Sequence, residues 1–542
     1  MQRVQELFNS RVTAWDIRRA VRIRLQKGGT SGSGTDPEIS IAEARDAVAG
    51  VRGFGSWAGL ADSVMRLGKT WARPLYWIDQ AHNRLEVRRQ VADDEWDAIV
   101  AVMAEKKIVS LDAAGQMTDT ALAQIAALDH VTGLRLASSR RLTDAGLRQL
   151  PRLPHLQQLN LSGCSFTDRG LEMLRQLPEL RIFELHWHQI VSDAGLAHLA
   201  GCERLERVDL MGSPVGDGVI TALAGKRHLR HLKTGTRVTD AALPLLHQFP
   251  IFKAWHGGEA RYSLMGAEAE PNHLMIDGPF TDAGLAALRG LDGLFGLSFF
   301  WHSKTFTPDG LVSLNELPNL AFLGCEGERC NDDAMRRIAA IPRLRMLQAQ
   351  GTVATDAGFA ALSRSATLEY LWGRECPNLT GRGLAALASM PSLRGLAVSC
   401  KGVDDAALAT LPRFSALREL MPMDVRDAGF RHIGRCEQLE GLWCMYCRET
   451  TDAATERIAE LSKLRTYYAG QTKITDRSLE ILSGMTSLET LEFWNCAEIT
   501  NSGAALLAKL PRLREVSFDS CRQVTAAVTT LFPTHVRARH VS

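Results

Sequence analysis

Two short segments carry residue types that bind metals. His186 and His188 stand two residues apart, a spacing that puts both imidazoles on one side of a strand, and Cys444 and Cys447 form a Cys-x-x-Cys pair. Imidazole nitrogens and thiolates are the ligands that zinc prefers. No second pair stands at zinc-ligand spacing, and a sequence repeat already accounts for three of the four positions. We therefore expect no metal site and no cofactor.

Aspartates that follow threonines are the other candidates for chemistry, because paired carboxylates can act as general acid and base. A threonine before a helix supplies an N-cap oxygen, and an aspartate in the first turn is favoured by the helix dipole. These Thr-Asp steps are therefore better explained as helix starts. The chain has no Gly-x-x-x-x-Gly-Lys-Ser/Thr phosphate loop and no serine elbow. We expect no catalytic residues and a protein that is not an enzyme.

The Thr-Asp step, followed by Gly-Leu, recurs at a nearly constant interval. The aspartates at 119, 144, 168, 193, 217 and 240 are separated by 25, 24, 25, 24 and 23 residues. That interval is the period of leucine-rich repeats. The same register gives anchors at 119, 144, 168, 193, 217, 240, 282, 308, 332, 356, 381, 405, 427, 452, 476, 501 and 526.

One unit shows how a repeat makes a coil. Thr143 caps a helix, Leu147 and Leu150 recur at helical spacing, and Leu159 and Leu161 share one face of a strand. The apolar edge of such a coil is buried only when the next coil stacks on it. We predict an α/β leucine-rich-repeat solenoid, with parallel strands on the concave face and short helices on the convex face.

The run Leu-Asn-Leu-Ser-Gly-Cys-Ser-Phe-Thr-Asp-Arg-Gly-Leu over residues 159–171 resembles the cysteine-containing leucine-rich repeats of F-box-type substrate adaptors and of many bacterial proteins. The resemblance covers roughly residues 105–530 and implies a repeat array that binds other proteins. The slot twenty residues after an anchor holds Cys164, Cys376, Cys447, Cys496 and Cys521. Since free cysteine packs as a small hydrophobe, we expect a buried ladder there rather than disulfides.

The array has two breaks. From Asp240 to Asp282 the interval is 42 residues, and the surplus falls near 257–272, a polar, glycine-containing segment. Such a segment suits a surface loop that could carry recognition, or it could be a tolerated insertion beside a degenerate coil built on residues 273–276. The second break is the region before residue 105, where the repeat disappears.

We divide that amino-terminal region in two. Residues 1–37 predict a basic helix, with seven basic against two acidic side chains up to Lys27 (7 − 2 = +5), and a Gly/Ser linker. Residues 38–105 predict a small, mainly helical domain that caps the first coil, and their Gly53-Phe54-x-Ser56-Trp57 turn is similar to one found beside ankyrin repeats in bacterial proteins. The solenoid then spans 106–530, and 531–542 form a carboxyl-terminal tail.

Composition narrows the classes of partner. The 542 residues carry a net charge of only +2, which gives no general attraction to nucleic acid or to acidic membranes. No apolar run reaches the ~18 residues that a membrane span requires, and arginines interrupt the first residues where a secretory signal would be apolar. We expect an intracellular, cytoplasmic protein that binds neither nucleic acid nor membrane.

The strand register identifies a candidate binding surface. If positions 15 and 17 after each anchor point inward, positions 14, 16 and 18 line the concave face, which is polar in the early coils. In the later coils these columns hold large apolar side chains with scattered charges, the composition of a protein-binding site. The predicted partner-binding residues are Phe300, Phe322, Tyr370, Trp372, Arg374, Met421, Met423, Trp443, Met445, Tyr468, Glu492 and Trp494. A register slip of one residue would instead bury all of them in the core.

The leading hypothesis is a scaffold or substrate-adaptor-like module that grips an unidentified protein or peptide on this face. Two alternatives remain open: a passive repeat platform whose basic amino-terminal helix binds membrane or nucleic acid, and self-assembly through the apolar coils. Neither the partner nor the oligomeric state follows from the sequence.

Overall fold

A computed structural model describes residues 74–399, 403 and 405–541. The chain divides into two units, Met1–Pro74 and Leu75–Ser542, and all described residues but Pro74 belong to the second. The basic helix, the linker and the Gly-Phe-x-Ser-Trp turn predicted from the sequence lie outside the described residues.

The Thr-Asp steps begin helices and also join neighbouring coils. Thr143 accepts a hydrogen bond from the amide of Ala145 and so caps its own helix. Its amide and hydroxyl donate to the two carboxylate oxygens of Asp119 in the preceding coil, at 2.8 and 2.6 Å. The same pair of bonds recurs along the array, for example from Thr380 to Asp356 and from Thr475 to Asp452. The aspartates that accept these bonds therefore join one coil to the next.

The helices are short, because each repeat of about 24 residues must also contain a strand and the turns that connect it. The α-helices span Trp96–Glu105, Asp119–Ile125, Asp144–Leu147, Asp193–Leu196, Asp217–Leu223, Pro250–Lys253, Asp282–Ala286, Asp332–Ile338, Asp356–Leu362, Gly381–Leu387, Asp405–Leu408, Asp427–Ile433, Asp452–Ile458, Asp476–Ser483 and Asn501–Leu507. The 3-10 helices span Asp93–Glu95, Leu150–Arg152, Asp168–Gln176, Ala197–Gly201, Leu243–Gln248, Gly310–Glu316, Gly327–Arg329, Leu411–Arg413 and Ala526–Leu531.

Between the helical segments of one coil and those of the next lies at least one strand. The strands are β1 (Tyr76–Asp79), β2 (Arg84–Val87), β3 (Ser110–Asp112), β4 (Gly133–Arg135), β5 (Gln158–Asn160), β6 (Ile182–Glu184), β7 (Arg207–Asp209), β8 (His231–Lys233), β9 (Arg261–Ser263), β10 (Gly266–Ala269), β11 (His273–Ile276), β12 (Gly296–Phe299), β13 (Phe322–Gly324), β14 (Met346–Gln348), β15 (Tyr370–Gly373), β16 (Gly395–Ser399), β17 (Glu419–Met423), β18 (Gly441–Met445), β19 (Thr466–Gly470), β20 (Thr490–Trp494), β21 (Glu515–Asp519) and β22 (Arg537–Val541).

Twenty of these strands form a single sheet, and β9 and β10 form a separate two-stranded hairpin. β1 and β2 pair antiparallel, and from β2 onward each strand pairs parallel with the next, with β8 joined directly to β11. The described part of the predicted capping region therefore contributes two strands to the repeat sheet, followed by the helix Trp96–Glu105. At the other end β22, from the segment predicted as a tail, pairs with β21.

The main core lies between the sheet and the helices. Leucines such as Leu159, Leu371 and Leu442 are at most 1% exposed in it, as are the helical Leu147 and Leu150. The described cysteines are buried, and several S–H groups donate to a backbone carbonyl of the preceding coil, as in Cys164 to Leu136 and Cys496 to Ala469. The prediction of an α/β leucine-rich-repeat solenoid is confirmed.

The insertion shifts one strand along the chain. By register Trp255 should point into the core, but the strand of this coil is β11, where Leu274 pairs with Leu232. Trp255 precedes the hairpin instead, with its ring 6.4 Å from that of Phe295. Trp255 is therefore not a strand residue, because the inserted residues place the strand of this coil downstream, at His273–Ile276.

Candidate binding surface

The side chains of the later strands alternate between two apolar clusters. Leu323, Leu347, Leu371, Leu396 and Leu420 belong to the main core. Between them a second cluster forms on the opposite face of the sheet, here called the outer face. It contains Phe322, Met346, Tyr370, Ala397, Met421 and Met423, together with residues of the insertion. This outer face carries positions 14, 16 and 18 after each anchor, which the sequence register assigns to the concave face of the solenoid.

The insertion lies across this outer face. We call residues 257–272 the strap; β9 and β10 form its hairpin. Ala260, Tyr262 and Leu264 alternate along one edge and are 2%, 5% and 0% exposed. All three belong to the second cluster, and the Tyr262 ring lies 6.0 Å from that of Phe322. The strap therefore covers sheet residues with its own apolar side chains.

Polar contacts fix the strap at two points, Glu419 in β17 and Arg345 directly before β14. The amide of Leu264 donates to Oε2 of Glu419 at 2.6 Å, and Nη1 of Arg345 donates to the carbonyl of Ala260 at 2.7 Å. Glu369 holds Arg345 in place through two further bonds, at 3.0 and 2.9 Å. Burial raises the pKa of the Glu419 carboxyl, and the Leu264 amide opposes that shift in part.

Glycines on the sheet make room for the strap. A Cβ at Gly296 would lie 2.3 Å from Oε1 of Glu270, and one at Gly395 would lie 2.3 Å from the Tyr370 ring and 3.4 Å from Cβ of Leu264. Glu270 accepts from the Tyr262 hydroxyl at 3.2 Å. The outer face is therefore shaped to hold the strap in one position.

Four predicted partner-binding residues lie beneath or beside the strap. The alternation predicts that Phe322, Tyr370, Met421 and Met423 face solvent, but they are only 8%, 6%, 0% and 5% exposed. These four side chains lie on the predicted face of the sheet. They are not accessible to solvent as predicted, because other residues of the same chain pack over them. Burial raises the pKa of Tyr370 to about 12.

Seven other predicted residues remain partly accessible, and we call them the open patch. Trp372, Trp443 and Met445 pack against the second cluster and are half-buried. The Trp443 ring folds over its own strand, where a Cβ at Gly441 would lie 2.4 Å from it. Arg374, Tyr468, Glu492 and Trp494 are half-buried as well. The structure thus brings together an aromatic surface that continues beyond the strap.

Arg374 is the positive charge of the open patch. Its guanidinium carbon lies 5.9 Å from the centre of the Trp372 ring and 5.5 Å from that of Tyr446, within cation–π range. No carboxylate of the described chain forms an ion pair with it. Arg374 Nε and Trp372 Nε1 are buried and find no hydrogen-bond acceptor among the described residues. A buried donor without an acceptor is costly, so these two N–H groups are energetically unfavourable in the unbound protein.

Glu492 is the negative charge of the same patch. Burial raises the pKa of its carboxyl, and Glu515 raises it further, while Arg539 lowers it. Arg539 in turn pairs with Glu515 at 3.3 Å. The patch therefore presents one guanidinium and one partly desolvated carboxyl among its aromatic rings.

Phe300 is separate from the other predicted residues. Its ring stacks on Trp301 at 4.8 Å and lies 6.1 Å from Trp187. Trp187 and Trp301 are 44% and 38% exposed, so the three rings form a second aromatic group on the surface. The strand columns miss Trp187, Trp301 and Tyr446, because all three stand 19 residues after an anchor, one beyond the last column of the register. That position turns left-handed in many coils, with φ of 53° at Trp187 and 58° at Tyr446.

The metal-binding candidates lie in different surroundings. His188 is 2% exposed with its ring 4.4 Å from Phe166, and burial lowers its pKa, whereas His186 lies 3.1 Å from Asp209. Cys444 and Cys447 are both fully buried. Over the described residues, no group of three or more His, Cys, Asp and Glu could hold a metal ion. In the same part of the chain, no helix has the length and apolar character to cross a membrane.

Comparison with known proteins identifies the repeat. A family profile described as Leucine Rich repeat matches residues 152–174. No curated protein matches the chain. Among solved structures the chain is similar to TLR13 in its complex with ssRNA13, at 14% identity over 83% of this chain and 71% of that one, with a TM-score of 0.47. It is similar to a leucine-rich-repeat protein of Leptospira interrogans, at 13% identity over 83% of this chain and 100% of that one, with a TM-score of 0.33. It is also similar to an internalin of Listeria monocytogenes, at 15% identity over 72% of this chain and 82% of that one, with a TM-score of 0.25. The profile match and the repeated strand and helix agree on a leucine-rich-repeat fold.

Proposed function

We propose that the protein is a binding module, not an enzyme, and that the open patch grips a protein or peptide partner. The observation that supports this most is the set of half-buried rings at Trp372, Trp443, Tyr468 and Trp494, which lie on one face of nearby parallel strands. Tryptophan, tyrosine and arginine supply most of the binding energy in protein interfaces. Solvent-facing rings in such number cost solubility unless a partner covers them.

The partner should carry an acidic group next to an apolar one. Arg374 has no carboxylate partner in the described chain, and the adjacent Trp372 Nε1 lacks an acceptor there. A carboxylate bound to a guanidinium forms a charge-assisted hydrogen bond, and the surrounding rings would exclude water from it. We place the protein in the cytoplasm, where the thiols of residues such as Cys164 and Cys202 stay reduced.

Affinity capture from the native cell, with the full chain as bait, tests the open patch. Trp443→Ala should reduce recovery of the partner by about tenfold, because a central ring is removed from the interface. Trp77→Ala is the matched control, since Trp77 is 48% exposed on β1, far along the sheet from the patch. Equal capture by wild type and Trp443→Ala, with the same circular dichroism spectrum, would contradict the proposal.

The two alternatives give different outcomes. A partner lost on deletion of residues 1–27, but retained by Trp443→Ala, would assign binding to the amino-terminal segment. Self-assembly would raise the mass measured by light scattering with protein concentration, without any added partner.

A further inference from the structure

The strap is held to the sheet by contacts that a separate peptide could also make. β9 and β10 pair only with each other and join no strand of the large sheet. The contacts to the sheet come from the side chains of Ala260, Tyr262 and Leu264 and from the bonds to Glu419 and Arg345. Near its carboxyl-terminal root, Glu270 also pairs with His273 of β11 at 2.7 Å. None of the large sheet's backbone pairing is lost if the strap lifts away.

Both roots of the strap are anchored, whereas its tip is exposed. Asn272 Nδ2 donates to the carbonyls of Ile251 and Gly293 at 3.0 and 2.6 Å, and Trp255 Nε1 donates to the Gly258 carbonyl at 2.9 Å. Met265, at the turn of the hairpin, is 52% exposed. The segment between the roots can therefore open as a unit while its ends stay in place.

The covered groove contacts the extended backbone of the strap and its apolar side chains at alternate positions. Glu419 accepts from a backbone amide, Arg345 donates to a backbone carbonyl four residues earlier, and the apolar cluster receives the side chains between them. Glu419 and Arg345 therefore hydrogen-bond to the main chain of the strap, and the side chains of Tyr262 and Leu264 pack into the apolar cluster. This combination is how sheet surfaces and edges recognise extended peptides.

We propose that the strap is an internal ligand: residues 260–264 occupy a peptide-binding groove, and the groove accepts an extended partner segment with an aromatic residue followed two positions later by an aliphatic one. Partner binding then requires displacement of the strap. The groove lies on β13–β17, whereas five of the seven open-patch residues lie on β18–β20 and only Trp372 and Arg374 lie at β15. This inference therefore goes beyond the proposed function and is tested separately.

The test supplies the strap in trans. In the full chain, residues 259–270 are replaced by a short Gly/Ser linker, and the probe is a fluorescein-labelled synthetic peptide of residues 257–272. By fluorescence anisotropy the peptide should bind the strap-replaced protein at least about tenfold more tightly than wild type, in which the groove is occupied. A Tyr262→Ala, Leu264→Ala peptide should lose that binding, and a Met265→Ala peptide should keep it.

Two outcomes overturn the proposal: a folded strap-replaced protein that does not bind the peptide, or equal binding by wild type. Trp494→Ala in the strap-replaced protein should leave peptide binding unchanged, because Trp494 lies outside the second cluster. That control distinguishes the groove from the open patch.

Hydrogen exchange on the wild-type protein tests whether the strap can open, even if the strap-replaced protein does not fold. A displaceable strap opens locally, so the Leu264 amide should exchange at a rate independent of low denaturant, whereas the Leu371 amide should exchange only through unfolding. Exchange of Leu264 at the rate and denaturant dependence of Leu371 would show that the strap never opens alone, and would overturn the proposal.

Discussion

At the scale of single residues, the repeated Thr-Asp step makes its carboxylates structural. Most of these aspartates accept from the amide and the hydroxyl of the threonine or serine one coil later, as Asp144 does from Thr167 at 2.7 and 2.7 Å, whereas Asp193 accepts from the amides of Gly216 and Gly218. The glycine two positions after the step leaves room for this carboxylate, since a Cβ at Gly146 would lie 2.3 Å from Oδ1 of Asp119. Acceptors that already hold two donors are poor candidates for proton transfer.

Substitution of Asp452 tests this role. Asp452 accepts from the Thr475 amide, the Thr475 hydroxyl and the Ser478 hydroxyl, at 2.8, 2.7 and 2.6 Å. Asp452→Ala leaves these donors without an acceptor, so we expect the free energy of unfolding in urea to fall by about 1–3 kcal/mol. Glu480→Ala, which removes an exposed partner of Arg477, is the control and should change it by less than about 0.5 kcal/mol.

The same carboxyl should make stability depend on pH in acid. Burial raises the pKa of Asp452, but the hydrogen bonds from Ser478 and Thr475 outweigh it, so the pKa lies below its ordinary value. A lowered pKa contributes stability above the unfolded-state pKa of about 4, and that contribution is lost as the pH falls through the folded-state value. Wild type should therefore lose more stability than Asp452→Ala between about pH 5 and pH 2; equal losses would show that Asp452 does not contribute.

At the scale of elements, one strand serves two apolar clusters. In β15, Leu371 lies in the main core and is 0% exposed, while Trp372 packs half-buried on the outer face. In β17, Glu419 accepts from the Leu264 amide of the strap, and Met421 and Met423 are 0% and 5% exposed within the second cluster. Alternation therefore sets the face of a side chain, and the neighbouring elements set its exposure.

Substitutions at these adjacent positions should separate stability from binding. Leu371→Ala opens a cavity in the core, and we expect it to lower the free energy of unfolding by about 2–5 kcal/mol. Trp372→Ala should cost about 1 kcal/mol, because the ring is partly solvated in the unbound protein, yet it should weaken partner capture. A larger loss of stability from Trp372→Ala than from Leu371→Ala would mean that the ring is a core residue.

At the scale of the whole molecule, the array depends on its ends. Each coil is stabilised by its neighbours, so an uncovered terminal coil exposes core leucines and an unpaired strand edge. At the amino-terminal side of the described array, β1, β2 and the helix Trp96–Glu105 pack there, with Trp96 only 1% exposed. At the other side β22 covers β21, and Phe532 lies 6.4 Å from Phe518.

Two adjacent residues near the carboxyl terminus test this dependence. Phe532 is 8% exposed and Leu531 is 40% exposed. Phe532→Ala should speed hydrogen exchange in β20 and β21 and leave β5 unchanged, because fraying spreads only to neighbouring coils; Leu531→Ala should leave all three unchanged. A uniform increase along the sheet after Phe532→Ala would show that the array unfolds as one unit.

Much of the architecture follows from the sequence alone. The period of about 24 residues, the N-cap threonines and the strand leucines two apart determine a parallel repeat sheet, because local spacing settles which side chains can share a face. The face occupied by Tyr370, Trp372 and Trp443 follows from the same register. These features depend on residues close together in the chain.

The accessibility of that face is decided only by the tertiary structure. Leu264 meets Glu419 across 155 residues of sequence, and no local pattern reports such a contact. A hint was present in the alternation of Ala260, Tyr262 and Leu264 and in glycines at outer-face positions 296 and 395. Spacing along a strand determines the direction of a side chain, whereas burial depends on which distant segment packs over it; for this protein, that segment is the strap.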